Sequence, residues 1–204
     1  MKNFTDFFIS RPDEEIKRIS AEFGFDRVIF VKEIKEISDF KDIEDYSFIL
    51  INTQDKTKMR QFIDKALARN KKIIIQGKDG SLNRAALETK RIFMLLSPEA
   101  EATKDFQNYR NSGLNQVLCK IAEKNKVIIG ISFSELLKIK SDKELAERIG
   151  RIMQNISLCR KYKTNMRLAN FSSKKENLRA AMDLRSFGFA IGITPEQANN
   201  SLIQ

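Results

Sequence analysis

Apolar residues along this chain gather into short runs separated by longer amphipathic stretches. The runs are Phe4–Ile9, Val28–Val31, Phe48–Ile51, Ile73–Ile75, Ile92–Leu96, Val127–Ile131 and Phe189–Ile193, with a weaker one at Asn165–Leu168. Most are continuous and rich in Ile, Val and Phe, as strands buried on both faces of a parallel sheet are. The stretches between them carry helix punctuation. Ser10 and Asp13 have capping-box spacing, Pro12 falls in the first predicted turn, and Gly24 ends the segment. Met59, Phe62, Ile63, Ala66 and Leu67 make one apolar face. Leu145, Ile149, Ile152, Met153, Ile156 and Cys159 make another, and both read as core. Thr194-Pro195-Glu196 opens a short terminal helix.

Eight predicted strands alternating with helices place the chain in the α/β class, as a closed or nearly closed βα barrel. An open doubly wound sheet is the alternative, since periodicity does not give strand order. No Pro/Gly/Ser-rich linker interrupts the sequence, so residues 1–204 are expected to form a single domain.

Charge changes the picture next. Residues 1–55 hold 8 Lys and Arg against 13 Asp and Glu, a net of −5; residues 56–204 hold 29 against 14, a net of +15. An excess of that size attracts polyanions through counterion release, which makes nucleic acid the first partner to consider. The chain has no histidine. That excludes Ser-His-Asp and Cys-His catalysis and the usual His-rich zinc and two-metal centres. Cys119 and Cys159 show no metal-ligand or redox spacing and read as free core thiols. No apolar run reaches membrane-span length and no signal peptide is legible, so a cytoplasmic protein with no membrane partner is expected.

In a barrel the working surface is the rim where strands end. The residues there are Ser10, Arg11, Lys32, Asn52, Gln76 to Lys78, Ser97, Ser132, Asn170 and Gly192 to Thr194. They include no convergent pair of carboxylates. Asp6 lies within the first strand without an acidic companion, and pairing with a Lys or Arg is expected of it. Gly77–Ser81 precedes a helix but lacks the Walker and Rossmann spacings, and reads as a turn. The densest basic region supplies the candidate RNA-binding residues: Arg160, Lys161, Lys163, Arg167, Lys174, Lys175, Arg179 and Arg185. A looser group, Lys120, Lys124, Lys126, Lys138, Lys140 and Lys143, reads as solvated surface. Most of the 15 Phe fall in strand-like runs, and no exposed aromatic platform is visible. Backbone or shape recognition is therefore expected rather than stacking on unpaired bases.

Two stretches carry a family likeness: GLNQVLCKIAEKNKVIIGISFSELL at 113–137 and NMRLANFSSKKENLRAAMDLRSFGFAIGITPEQA at 165–198. With Phe4–Ile9 and Gly24–Val28, they resemble the p30-type, TIM-barrel-like subunit family of archaeal ribonuclease P, known as protein component 3. Arg179, Asp183-Leu184 and Ser186-Phe187-Gly188 match the family's closing segment. Asn115-Gln116 stands where the family often has Asp-His, and Asn170-Phe171-Ser172 where it has Ser-Ser-small. The resemblance implies a distorted TIM-like barrel of the PHP phosphoesterase type, acting as a subunit that is non-catalytic alone. It implies ribonuclease P RNA and an RRM-like second protein subunit as partners in a heterotetramer, with precursor tRNA contacted indirectly. It implies no cofactor on the protein itself, the Mg²⁺ being used by the RNA. The alternative from another class is a carboxylate- and Mg²⁺-dependent barrel enzyme acting on a phosphorylated metabolite.

Overall fold

The computed structural model describes residues 4–197 except 103, 106 and 196. Seven parallel strands follow one another round a single sheet in sequence order. They are β1 (Thr5–Phe8), β2 (Arg27–Ile34), β3 (Phe48–Ile51), β4 (Lys72–Gln76), β5 (Met94–Leu96), β6 (Ile128–Ser132) and β7 (Met166–Ala169). The helices are α1 (Glu14–Glu22), α2 (Lys56–Leu67), α3 (Gly80–Glu88), α4 (Gln116–Lys124), α5 (Phe133–Leu136), α6 (Asp142–Lys161) and α7 (Ala181–Ala190). Short 3-10 turns at Ile37–Phe40 and Lys175–Asn177 complete the connections.

Alternation along the strands splits the core into two layers. Phe7, Ile29, Val31, Phe48, Leu50, Ile74, Met94, Leu96, Ala169 and Phe171 fill the barrel interior. Ile49, Ile51, Ile73, Ile75, Leu95, Ile129, Ile131, Met166 and Leu168 face outward into the helix layer. Each such side chain, fully buried, contributes about 1.5–3 kcal/mol. Two residues assigned to helical core stripes sit elsewhere: Met153 is exposed and Leu67 lies at the edge of exposure.

The ring is nearly closed. Past the end of β7, Ser172 forms a single parallel bridge with Phe8, and Ile9 N–H donates to the Ser172 carbonyl at 2.7 Å. Beneath it the rings of Phe7 and Phe171 stack with centroids 4.8 Å apart.

The predicted eighth strand, Phe189–Ile193, is not a strand. Phe189 and Ala190 end α7, and Gly192, at φ +99°, turns the chain out of the helix. Ile193 N–H then donates to the Gly188 carbonyl, closing a Schellman motif. The apolar run is a helix terminus whose Ile191 and Ile193 are buried. At the other end of the chain, Asp13 alone caps α1 by accepting from Glu15 N–H. The Ser10 hydroxyl instead donates to the Arg11 carbonyl, and Pro12 precedes the cap. The Thr194 hydroxyl accepts from Gln197 N–H while the Gln197 side chain accepts from Thr194 N–H; the rest of the predicted terminal helix, Glu196 included, lies outside the described residues.

Candidate nucleic-acid interface

All strands run the same way, so their C-terminal ends share one rim. The inward residue at the end of β2 is Glu33, whose carboxylate accepts from the Asn52 side chain at 2.8 Å and pairs with Lys35 at 3.1 Å. Across the ring, Ser132 and Ser134 share a hydrogen bond of 3.3 Å, and the Ser134 hydroxyl donates to the Phe171 carbonyl. A polar pocket of about 510 Å³ opens beside them, lined in part by Gln76, Lys78, Glu101, Glu135 and Arg148. Lys78 and Glu101 neutralise each other there at 2.7 Å. Beneath it lies Glu99, 2 % exposed. Burial pushes its carboxyl up to about 7, against the opposing pull of Arg148 at 3.9 Å and of the Asn155 amide. Among the described residues no group of three His, Cys, Asp or Glu could hold a metal ion. The Gly77–Ser81 turn leaves no open anion site: the Asp79 carboxylate already accepts from Leu82 N–H and from the Ser81 hydroxyl.

Asp6 corrects an expectation. It points away from the interior, on the same face of β1 as Phe8, and among the described residues it pairs with no Lys or Arg. It accepts from both the backbone and the side-chain amide of Asn170 at 2.8 Å. Asn170 in turn donates to the Arg179 carbonyl and accepts from Arg179 N–H. This outward network ties β1 to the segment after β7.

The structure divides the predicted basic stretch between the two ends of β7. Arg160, Lys161 and Lys163 sit where α6 turns into β7, at the end opposite the rim. Arg160 and Lys163 line a cavity of about 770 Å³ there, with Thr164, Asn165 and Gln197. Lys174, Lys175 and Arg179 follow β7 on the rim side, where Lys175 pairs with Glu15 at 3.0 Å. The Arg179 guanidinium donates to the Glu176 and Leu178 carbonyls, rather than bracing Asp183. Arg185 lies on α7 over the Phe189 ring. Arg167 is not on the surface. It shares the inward face of β7 with Ala169, its guanidinium 5.6 Å from the Phe7 centroid and the residue 6 % exposed. A group so placed cannot meet a phosphate without the barrel opening.

One association was missed from sequence. Lys120, assigned to solvated surface, lies over the same Tyr162 ring as Lys161, at 5.8 and 5.7 Å from its centroid. The i→i+42 separation across two helices leaves no local sequence signal for such a pairing.

Residues 4–204 match the family described as RNase P subunit p30. The chain is 25 % identical over 196 residues to Ribonuclease P protein component 3 of Methanosarcina mazei, covering 93 % of this chain and 78 % of the relative. It is 27 % identical over 192 residues to the protein of that name from Methanosarcina acetivorans, covering 91 % and 77 %. Among solved structures it is similar to a chain of archaeal ribonuclease P with mature tRNA. There the TM-score is 0.77 at 22 % identity, over 96 % of this chain and 85 % of that one. It is similar in fold also to a prolidase complexed with N-methylphosphonate-L-proline, with a TM-score of 0.61 at 8 % identity over 95 % and 71 %.

Proposed function

This chain belongs to the RNase P subunit p30 family, and on that premise we propose that it assists the catalytic RNA of ribonuclease P in 5′ maturation of precursor tRNA. It does so by binding that RNA and a second protein subunit of RRM-like fold, two copies of each protein forming a heterotetramer. Precursor tRNA is met through the RNA, and the divalent ion of the reaction is held by the RNA. The observation that carries this is the family match across residues 4–204.

The geometry is compatible with it. Exposed or half-exposed cations of the basic stretch, Arg160, Lys161, Lys163, Lys174, Lys175, Arg179 and Arg185, are available to phosphate oxygens. Arg167 is left out, since it serves the barrel interior. A carboxylate- and Mg²⁺-dependent enzyme would need acidic groups gathered at the rim, where Glu33 and Glu101 are each paired with a lysine.

The partner part of the proposal is tested by mixing the chain with the RRM-like subunit and measuring mass by light scattering. A complex with two copies of each protein is expected. Two separate species at micromolar concentration would remove the partner from the account.

A further inference from the structure

At the end of the barrel opposite the rim, every described helix or 3-10 turn hands over to the next element through a residue with left-handed backbone. In chain order these are Gly24, Asp42, Asn70, Lys90, Lys126, Lys163 and Gly192, with φ of 82°, 56°, 56°, 57°, 58°, 55° and 99°. Glycine adopts this conformation without cost and Asn or Asp with little; a lysine there is held against its own preference. The lysines are not scattered. They occupy the three successive turns α3→β5, α4→β6 and α6→β7, whose strands are adjacent in the sheet. Neighbouring helices lie about 8–10 Å apart, so the three side chains form a row along one arc of this end.

The helix dipole accounts for Lys90 at most, since α3 has no cation in its last turn. It does not account for Lys126 and Lys163, where Lys124 on α4 and Arg160 with Lys161 on α6 already answer it. Nor do ion pairs: the exposed Lys126 has the half-exposed Glu123 at 3.3 Å, and Lys90 and Lys163 have no ion pair among the described residues. The turns of the other half are mixed in sign, with Asp26, Asp42, Glu44 and Asp45 beside Arg27, Lys41, Arg69 and Lys71, and Glu44 pairs with both Arg69 and Lys71. The excess of cations at this end thus lies on one arc, built partly from residues that strain the backbone. Left-handed non-glycine residues kept at a cost are a recognised mark of function.

We propose that Lys90, Lys126 and Lys163, with Lys124, Arg160 and Lys161 beside them, form a docking arc for the RNA backbone at this end of the barrel. This inference rests on the subunit proposal above. The arc takes phosphates as point charges, without reading sequence.

The test is the triple variant Lys90→Gly, Lys126→Gly, Lys163→Gly, made in the full chain and assembled with its RRM-like partner. Binding to a ribonuclease P RNA transcript is measured from about 50 to 200 mM salt. Loss of three phosphate contacts flattens the slope of log K against log salt by about 2 to 3, while Tm stays equal to or above wild type. A control variant, Arg18→Gln, Lys41→Gln, Arg60→Gln, removes three exposed cations elsewhere and keeps the slope. The proposal is overturned if the triple variant keeps the wild-type slope, or if the control flattens it equally. It is also overturned if Tm falls in the triple variant, or if that variant loses the protein partner while RNA binding is unchanged. In all of those cases a wild-type chain that still supports cleavage leaves the subunit proposal standing. A wild-type chain that binds no RNA overturns both.

Discussion

Asp6 and Asn170, 164 positions apart, are joined by two hydrogen bonds of 2.8 Å, one to the backbone amide and one to the side chain of Asn170. Both residues are fully buried. They lie at the seam where β1 and β7 meet with, among the described residues, one backbone bridge between Phe8 and Ser172. A ring of seven strands is held shut here by a side-chain network as much as by a ladder. Asn170→Ala leaves the Asp6 carboxylate buried with two acceptor bonds weakened or lost, and it cuts the tie to Arg179. A loss of about 3 kcal/mol is expected, seen as a Tm drop of roughly 6–12 °C by calorimetry.

The same network sets a pH signature. Burial pushes the Asp6 carboxyl up to about 6 from 3.8, although the amides of Asn170 pull the other way. A raised carboxyl favours the folded state most fully below pH 3.8 and loses that contribution as pH rises through 6. The wild-type chain therefore loses stability relative to Asp6→Asn between those values. Urea midpoints taken across the range measure the difference; a gap that widens in favour of wild type on raising pH contradicts the assignment.

Glu99 behaves alike at the opposite side of the ring. Its carboxyl is raised from 4.5 to about 7, so the stability of the wild-type chain relative to Glu99→Gln falls across that interval and is level above it. If the Arg148 contact at 3.9 Å were the stronger influence, the sign would reverse.

Arg151 straps the long β5–α4 connection onto α6. Its side chain is 5 % exposed and donates to Asp105 at 2.7 Å and to the Ala102 carbonyl at 2.6 Å. Arg151→Ala strands the Ala102 carbonyl and leaves Asp105 only Arg110 and the Asn111 N–H, for a cost of about 1–3 kcal/mol. Limited proteolysis should then cut within 99–112 well before the rest of the barrel. Cleavage at wild-type rates would show that the strap holds without it.

Two glycines separate rigid from adaptable sites. A Cβ on Gly113, at φ +73°, would lie 1.9 Å from the Pro98 carbonyl oxygen, so Gly113→Ala forces the backbone apart. On Gly130 it would meet only the side chains of Met94 and Leu96, at 2.6 and 2.9 Å. Gly130→Ala should cost about 1–3 kcal/mol by overpacking, and Gly113→Ala more. Equal denaturant midpoints for the two variants would contradict this ranking.

Much of this fold was legible in the sequence because strands buried on both faces announce themselves as unbroken Ile, Val and Phe runs. All seven strands coincide with predicted runs, although β1 carries Asp6 and β7 falls on the weaker stretch Asn165–Leu168. Phe189–Ile193 imitated an eighth because a helix terminus can bury consecutive apolar residues too. Gly192 ahead of Thr194-Pro195 was the signal against it. The basic stretch was visible as composition but not as geometry. β7 runs through its middle, sending Arg160 and Lys174 to opposite ends, and period-two alternation from Phe171 through Ala169 puts Arg167 inside. The Asp6–Asn170 tie had no local trace at all. Left-handed lysines are invisible in sequence, since nothing in Asn-Lys-Val or Thr-Lys-Arg distinguishes φ near +57° from an ordinary turn.

The most direct measurement is cleavage of a precursor tRNA by the ribonuclease P RNA at limiting Mg²⁺, with this chain and the RRM-like subunit added singly and together. The account predicts that correct 5′ processing rises only when both proteins are present. Cleavage that is unchanged by this chain, with the partner and RNA shown to be competent, would contradict the proposed role.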